Sequence, residues 1–232
     1  MPPRSKRKPA PPLTSSDVDS SIRTTEPKAK RTTSKQFERI DNMFASYSNK
    51  ELGIIDPDGI EALCKDVKVD HTDVRILILA WKMQAEKQGY FTQDEWRRGL
   101  KCLGADTLPK LKKAINGLKK EVTAPESFED FYSYAFQYCL TEDKQRSIDI
   151  ETLCVLFNLV LGSEFPSQVN LLIEYLKIQN DYRALNMDHW RNFYRFFKEV
   201  SFTDLESYDS SQAWPVIIDN FVEWLKENEK KI

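Results

Sequence analysis

Apolar residues recur at helical spacing through most of the chain, in runs separated by short polar stretches and punctuated by proline. From Ser34 onward this period predicts helices over about 35–47, 57–66, 72–87, 92–104, 107–121, 126–140, 149–162, 166–178, 188–200 and 214–228. Pro57, Pro109, Pro125, Pro166 and Pro215 stand at the boundaries of these runs, where a missing backbone N–H costs least. Connections are short, so neighbouring helices should pack as antiparallel pairs in an all-α body. In the last run, Trp214, Ile217, Ile218, Phe221, Val222 and Leu225 form an inward stripe, with Asp219, Glu223 and Lys226 opposite.

Residues 1–34 break the pattern. They hold six of the eleven prolines, many Ser and Thr, and neither an aromatic residue nor a glycine. Too little apolar surface is available there to offset the entropy of ordering, so a disordered basic tail is expected ahead of a body spanning about 36–228. Eight basic and three acidic residues give this tail 8 - 3 = +5; with -2 for the whole chain, the remainder carries -2 - 5 = -7. Arg4, Lys6, Arg7 and Lys8, followed by Lys28, Lys30 and Arg31, have the spacing of a bipartite nuclear import signal, though a solubilising tail accounts for them equally well. Nucleus and cytoplasm are the expected locations. The tail alone would be a weak, salt-sensitive nucleic-acid ligand beside an acidic body, so no nucleic-acid partner is expected. No run of 18 apolar residues occurs, and the start Met1-Pro2-Pro3-Arg4 has neither a secretory apolar region nor the Gly needed for myristoylation. A soluble intracellular protein without a membrane partner is the expectation.

The candidate chemistry is sparse. Cys64, Cys102, Cys139 and Cys154 lie far apart in apolar segments, without CxxC pairs, which predicts reduced core thiols. Glycine-rich phosphate loops and paired zinc ligands are missing, and the two histidines, His71 and His189, read as solvated first-turn residues. No cofactor, metal or catalytic residue is expected. Several junctions invite comparison with a calcium loop, which needs oxygen ligands at positions 1, 3, 5, 9 and 12, Gly at 6 and an apolar residue at 8. With Phe91 at position 8, Gly89 and Glu95 fit, but Gln84 and Gln88 bring no charge. With Ile148 there, Arg146 replaces the glycine and Thr152 the final carboxylate; around Ile55, Ser48, Lys50 and Leu52 fare no better. EF-hand-like geometry without calcium binding is the reading.

The run from Ser207 through Tyr208, Asp209, Ala213, Trp214, Pro215, Val216 and Asp219 to Glu223 is distinctive, as are Asp130-Phe131-Tyr132, Asn158 to Leu161 and Leu79 to Lys82. Together they resemble the defective-in-cullin-neddylation family over its whole potentiating-neddylation domain, about 36–228. The resemblance implies an EF-hand-like amino-terminal lobe and a cullin-binding carboxy-terminal lobe. It also implies a scaffold-type ligase component without an active-site nucleophile. Such a scaffold binds the cullin's carboxy-terminal winged-helix region and the acetylated amino terminus of the neddylation conjugating enzyme, and so orients transfer of the modifier to a cullin lysine. The RING subunit that accompanies cullins is a further partner on this reading. Holding two reactants in register raises their effective molarity, so no catalytic side chain is required. The competing reading is a degenerate EF-hand-like adaptor or calcium sensor.

Carried over position by position, the family's cullin-binding trio falls on Asp188, Ala213 and Asp219: two carboxylates for cationic side chains and a small residue for close approach. Asp188 is also an obvious helix cap by sequence. The acetyl-methionine pocket falls on Ile60, Cys64, Ile76, Leu79, Ala80, Met83, Gln88, Phe91, Tyr138 and Leu159. Gly89 stands where better-known relatives carry cysteine, and Met83 and Tyr138 replace phenylalanines, so the pocket's shape should differ.

Overall fold

Prolines and polar caps set most of the helix starts, and each start is followed by a stripe of buried apolar side chains. The structure, a computed structural model, describes residues 28–202 and 205–229. Its helices are α1 (Lys28–Tyr47), α2 (Pro57–Val67), α3 (Val74–Met83), α4 (Gln93–Cys102), α5 (Leu108–Glu121), α6 (Pro125–Tyr138), α7 (Ile150–Leu161), α8 (Pro166–Ile178), α9 (Met187–Glu199) and α10 (Val216–Glu229). Two three-residue strands, β1 (Ser147–Asp149) and β2 (Ala184–Asn186), pair antiparallel with Ile148 opposite Leu185. The all-α expectation holds.

Two boundaries differ from the sequence reading by more than two residues. α1 begins at Lys28 rather than near residue 35, so the basic cluster of Lys28, Lys30 and Arg31 belongs to its first turn and not to a tail. Lys, Ala and Arg are good helix formers, which lets an apolar-periodic helix extend backwards through them. The other basic cluster, Arg4, Lys6, Arg7 and Lys8, lies outside the described residues. α3 stops at Met83, four residues early, because Gln84 turns left-handed (φ 52°) and its N–H caps the carbonyls of Ala80 and Trp81.

Four helix-loop-helix units make two pairs. In the first lobe the loops α1–α2 and α3–α4 are joined by a β-bridge in which Ile55 and Phe91 each donate an N–H to the other's carbonyl at 2.9 Å. In the second, β1 and β2 join the loops α6–α7 and α8–α9. The residues at the bridges are those that occupy position 8 of a calcium loop, with Leu185 supplying a fourth that the sequence reading missed.

What replaces calcium is visible in the bonding. In every loop the residue after the bridge caps the next helix by accepting the N–H three positions on: Asp56 from Gly59, Thr92 from Glu95, Asp149 from Thr152 and Asn186 from His189. Glu95, in the place of the final calcium ligand, is 7% exposed and uses both oxygens inside the loop. Oε2 accepts from the N–H (2.6 Å) and hydroxyl (2.8 Å) of Thr92, and Oε1 from the N–H of Glu86 (2.9 Å). Among the described residues no group of three or more His, Cys, Asp or Glu could hold a metal ion.

α6 is the seam between the lobes. Asp130 accepts from the indole of Trp81 at 2.8 Å, and the Tyr134 hydroxyl donates to the carbonyl of Ala85 at 2.9 Å, tying α6 to the end of α3. On the other side Tyr132 and Trp190 stack at 4.2 Å and exchange bonds: the phenol donates to the Trp190 carbonyl (2.8 Å) and the indole to the Tyr132 carbonyl (2.9 Å). Both polar tips of this fully buried pair are therefore satisfied, and α9 is locked to α6.

Candidate functional site

The seam leaves a cleft of about 680 Å³ among α2, α3, α6 and α7. Seven of the ten expected pocket residues border it: Ile60 on α2, Ile76 and Ala80 on α3, Gln88 and Phe91 in the α3–α4 loop, Tyr138 on α6 and Leu159 on α7. Cys64, Leu79 and Met83 do not; they are core residues. The sequence reading took Ile76, Leu79, Ala80 and Met83 as one stripe, but a straight helix splits them. Ile76 and Ala80 share one row and face the cleft, while Leu79 and Met83 share the next and turn inward. Met83 lies so close to α4 that a Cβ on Gly99 would sit 2.3 Å from its Cγ.

Residues that the sequence reading missed complete the walls and rim. Leu156 and Val155 precede Leu159 on α7, and Cys139 follows Tyr138; His71, Asp73, Asp58 and Glu61 line the mouth. The one available signal was the row Leu156–Leu159 at spacing i, i+3. The rim charges are largely partnered, since Glu61 pairs with Lys65 at 2.9 Å and Asp73 with Arg75 at 2.8 Å. His71 lies in the turn before α3, exposed, 3.7 Å from Asp70, rather than in the helix's first turn.

The interior of the cleft is neutral. Tyr138 accepts the N–H of Gly89 at 3.2 Å, and burial pushes its hydroxyl up to about 12 and the Cys139 thiol up to about 11. Gly89 has φ 79°, and a Cβ there would meet only Pro57 Cγ at 3.7 Å. Backbone conformation, not space, is what favours glycine at this position, so a cysteine here would strain or shift the loop. Apolar walls with Gln88 at the edge admit a neutral group that can hydrogen-bond and reject a bare ammonium.

The second assembly lies where α9 and α10 begin. Asp188 is not the cap of α9: Asn186 takes that place in a reciprocal box with His189, whose half-buried ring stands edge-on to Tyr182 and whose pKa burial lowers. That leaves Asp188 exposed, with Asn192 Nδ2 donating to its Oδ1 at 3.2 Å. Ala213 is exposed just ahead of α10, and half-buried Asp219 accepts from the Tyr208 hydroxyl. Among the described residues no hydrogen bond joins Asp188 to Ala213 or Asp219. The link is Arg195, which follows Asp188 and Asn192 along one face of α9. Its guanidinium stands 4.3 Å from the Trp214 ring and donates to Gln212 at 3.0 Å.

The cysteines are all free thiols. Cys64 and Cys154 are buried and Cys139 is half-buried, but Cys102 is exposed, contrary to the expectation of four core thiols, because it is the last residue of α4 and the chain turns away at Gly104. No helix among the described residues is long and apolar enough to cross a membrane.

Comparison with known proteins gives a consistent result. Residues 110–224 match the family described as Cullin binding. The chain is 38% identical over 173 residues to DCN1-like protein 5 of Homo sapiens, covering 75% of this chain and 71% of that protein. It is 34% identical to DCN1-like protein 4 of Homo sapiens over 235 residues, 99% of this chain and 79% of the relative. To DCN1-like protein 4 of Drosophila melanogaster it is 36% identical over 176 residues, 76% and 69% of the two chains.

Proposed function

Because this chain belongs to the cullin-binding, DCN1-like family, we propose that it is a non-catalytic scaffold in cullin neddylation, holding a cullin at one site and the acetylated conjugating enzyme at another. The observation that carries this reading is the neutral, apolar cleft at the seam between the two EF-hand-like lobes, with Gln88 at its edge. An acetylated methionine is a neutral, flexible apolar group with an amide to satisfy, which such a cleft suits; the same terminus unacetylated would bring an ammonium whose burial is unfavourable. Asp188, Ala213 and Asp219 form the cullin surface. Their carboxylates meet basic side chains of the winged-helix region while Ala213 permits close approach. With both partners held on one rigid body, the modifier's thioester is brought to the cullin lysine by proximity alone, and the accompanying RING subunit completes the assembly. The basic residues ahead of α1 and in its first turn direct import, giving a nuclear as well as a cytoplasmic population. A calcium-sensor role is disfavoured by Glu95, whose carboxylate already cross-links its own loop.

Calorimetric titration with matched acetylated and unacetylated amino-terminal peptides of the conjugating enzyme tests the cleft. Binding of the acetylated peptide at least about 30-fold tighter than its partner is expected, since an unpaired buried charge costs several times RT. Equal binding of the two, or none by either, would overturn it.

A further inference from the structure

Between the two halves of the cullin surface lies a layered cluster that the trio itself does not explain. Arg195 stands over the Trp214 ring at 4.3 Å, Trp214 stacks on Tyr208 with centroids 6.3 Å apart and planes 27° apart, and Lys226 Nζ is 5.9 Å from the Tyr208 ring. Cation, indole, phenol and cation are thus drawn from α9, the α9–α10 connection and α10. Arg195, Trp214 and Tyr208 are each tied to the proposed surface. Arg195 holds Gln212, the neighbour of Ala213, and Trp214 is its other neighbour. Tyr208 donates its hydroxyl to Asp219 Oδ1, and among the described residues Oδ2 has no donor.

We propose that Tyr208 and Arg195 are positioning residues of the cullin-binding surface, Tyr208 fixing the Asp219 carboxylate so that one oxygen is left for a cationic partner, and Arg195 fixing the Gln212–Trp214 corner that presents Ala213. The inference rests on the proposed cullin-binding role of Asp219 and Ala213. A free aspartate on a helix's first turn samples several rotamers, and a partner must immobilise it on binding; one held by a phenol is already in place. Burial and the neighbouring Asp219 hold the Tyr208 hydroxyl well above the ordinary tyrosine range, so it remains a donor at neutral and mildly alkaline pH. The aromatic layers supply stiffness: the two rings have few rotatable bonds, the planar guanidinium lies against one of them, and cation–π contacts strengthen as water is excluded. Arg195 is also paired with Glu199 at 3.0 Å on its own helix, so its position is set before any partner arrives.

The experiment is a double-mutant cycle read by binding of a purified cullin carboxy-terminal domain to the full chain. Tyr208→Phe keeps the ring and its stacking and removes only the hydroxyl; it should weaken binding about tenfold, the effect of losing a hydrogen bond to a charged group. In an Asp219→Asn background the same substitution should change binding less than about twofold, because Tyr208 acts through that carboxylate. Binding of the acetylated peptide should stay at its wild-type value, because none of these residues lines the cleft, and the melting temperature should stay within a few degrees of wild type.

 These two controls report on the fold and on the separate cleft, so a loss confined to cullin binding is the expected signature. Unchanged cullin affinity in Tyr208→Phe, or an equal loss in both backgrounds, would overturn the proposal while leaving the cullin surface standing. Wild-type protein that fails to bind the cullin domain would overturn the underlying reading and this inference with it. If Tyr208→Phe fails the fold control, Arg195→Lys takes its place: it keeps the charge, loses the planar contact and the Gln212 bond, and must weaken cullin binding severalfold in a stably folded protein for the proposal to survive.

Discussion

The cleft and the charged surface are built on opposite principles. The cleft is a defect left in the core where α6 crosses between lobes: its walls come from four helices and its interior is neutral. The proposed surface of Asp188, Ala213 and Asp219 lies on the outside, its carboxylates at the starts of α9 and α10, with Asp219 bonded to the ring of an aromatic cluster through the Tyr208 hydroxyl. A buried apolar site discriminates through desolvation, whereas an exposed charged one discriminates through complementary charge and shape. The two should therefore fail under different insults.

The largest effect is expected from Ala213→Arg. A long cation between two carboxylates, facing a basic partner, adds both bulk and like charge, and should weaken cullin-domain binding at least about a hundredfold. Acetyl-peptide binding and melting temperature should not change. Cullin affinity left unaltered in a titration of the folded variant would remove Ala213 from the surface. The converse is Leu159→Asp, which puts a carboxylate into the cleft wall from a half-buried position that the fold can accommodate. Peptide binding should fall at least about 30-fold while cullin binding holds, because the new charge must be desolvated by the incoming apolar group. Equal losses at both sites would mean that the two are one cooperative unit and would erase the contrast.

Much of the fold was legible because punctuation is local. Pro57, Pro125 and Pro166 each fall in the first turn of a helix, and the inward stripe of α10 is buried from Trp214 through Leu225. Strands of three residues are too short for alternation to register, so β1, β2 and the role of Leu185 were not. Nor could periodicity tell that Ile76 and Ala80 face a cleft while Leu79 and Met83 fill the core, since both rows are apolar and only the position of α6 and α7 separates them. The proposed charged surface has no signal in the periodicity and rests on family resemblance alone. By sequence Asp188 read as a cap, and it took the Asn186–His189 box to show the carboxylate free of that duty. Arg195 gave no sequence signal at all, because its partners Gln212 and Trp214 are brought to it by the turn between α9 and α10.

A smaller, pH-dependent effect is expected at the rim of the cleft. Asp73 caps α3 at the mouth of the cleft, accepting the Arg75 N–H at 2.8 Å and holding the Arg75 guanidinium through both oxygens, at 2.9 and 2.8 Å. Arg75 in turn donates to Asn116 on α5 at 2.7 Å, so this clamp fastens the cleft's rim to the helix behind it. The bond from Arg75 holds the Asp73 carboxyl down at about 2. A carboxylate whose folded pKa is depressed stabilises the native state above its ordinary value near 4, and loses that contribution as pH falls through the folded value. Asp73→Asn should therefore lower the melting temperature by about 2–4 °C near pH 6, corresponding to about 1 kcal/mol for a partly exposed clamp, and the gap from wild type should close between pH 4 and pH 2. A gap for Asp73→Asn that persisted undiminished at pH 2 would show that the clamp stabilises the rim by shape rather than by charge.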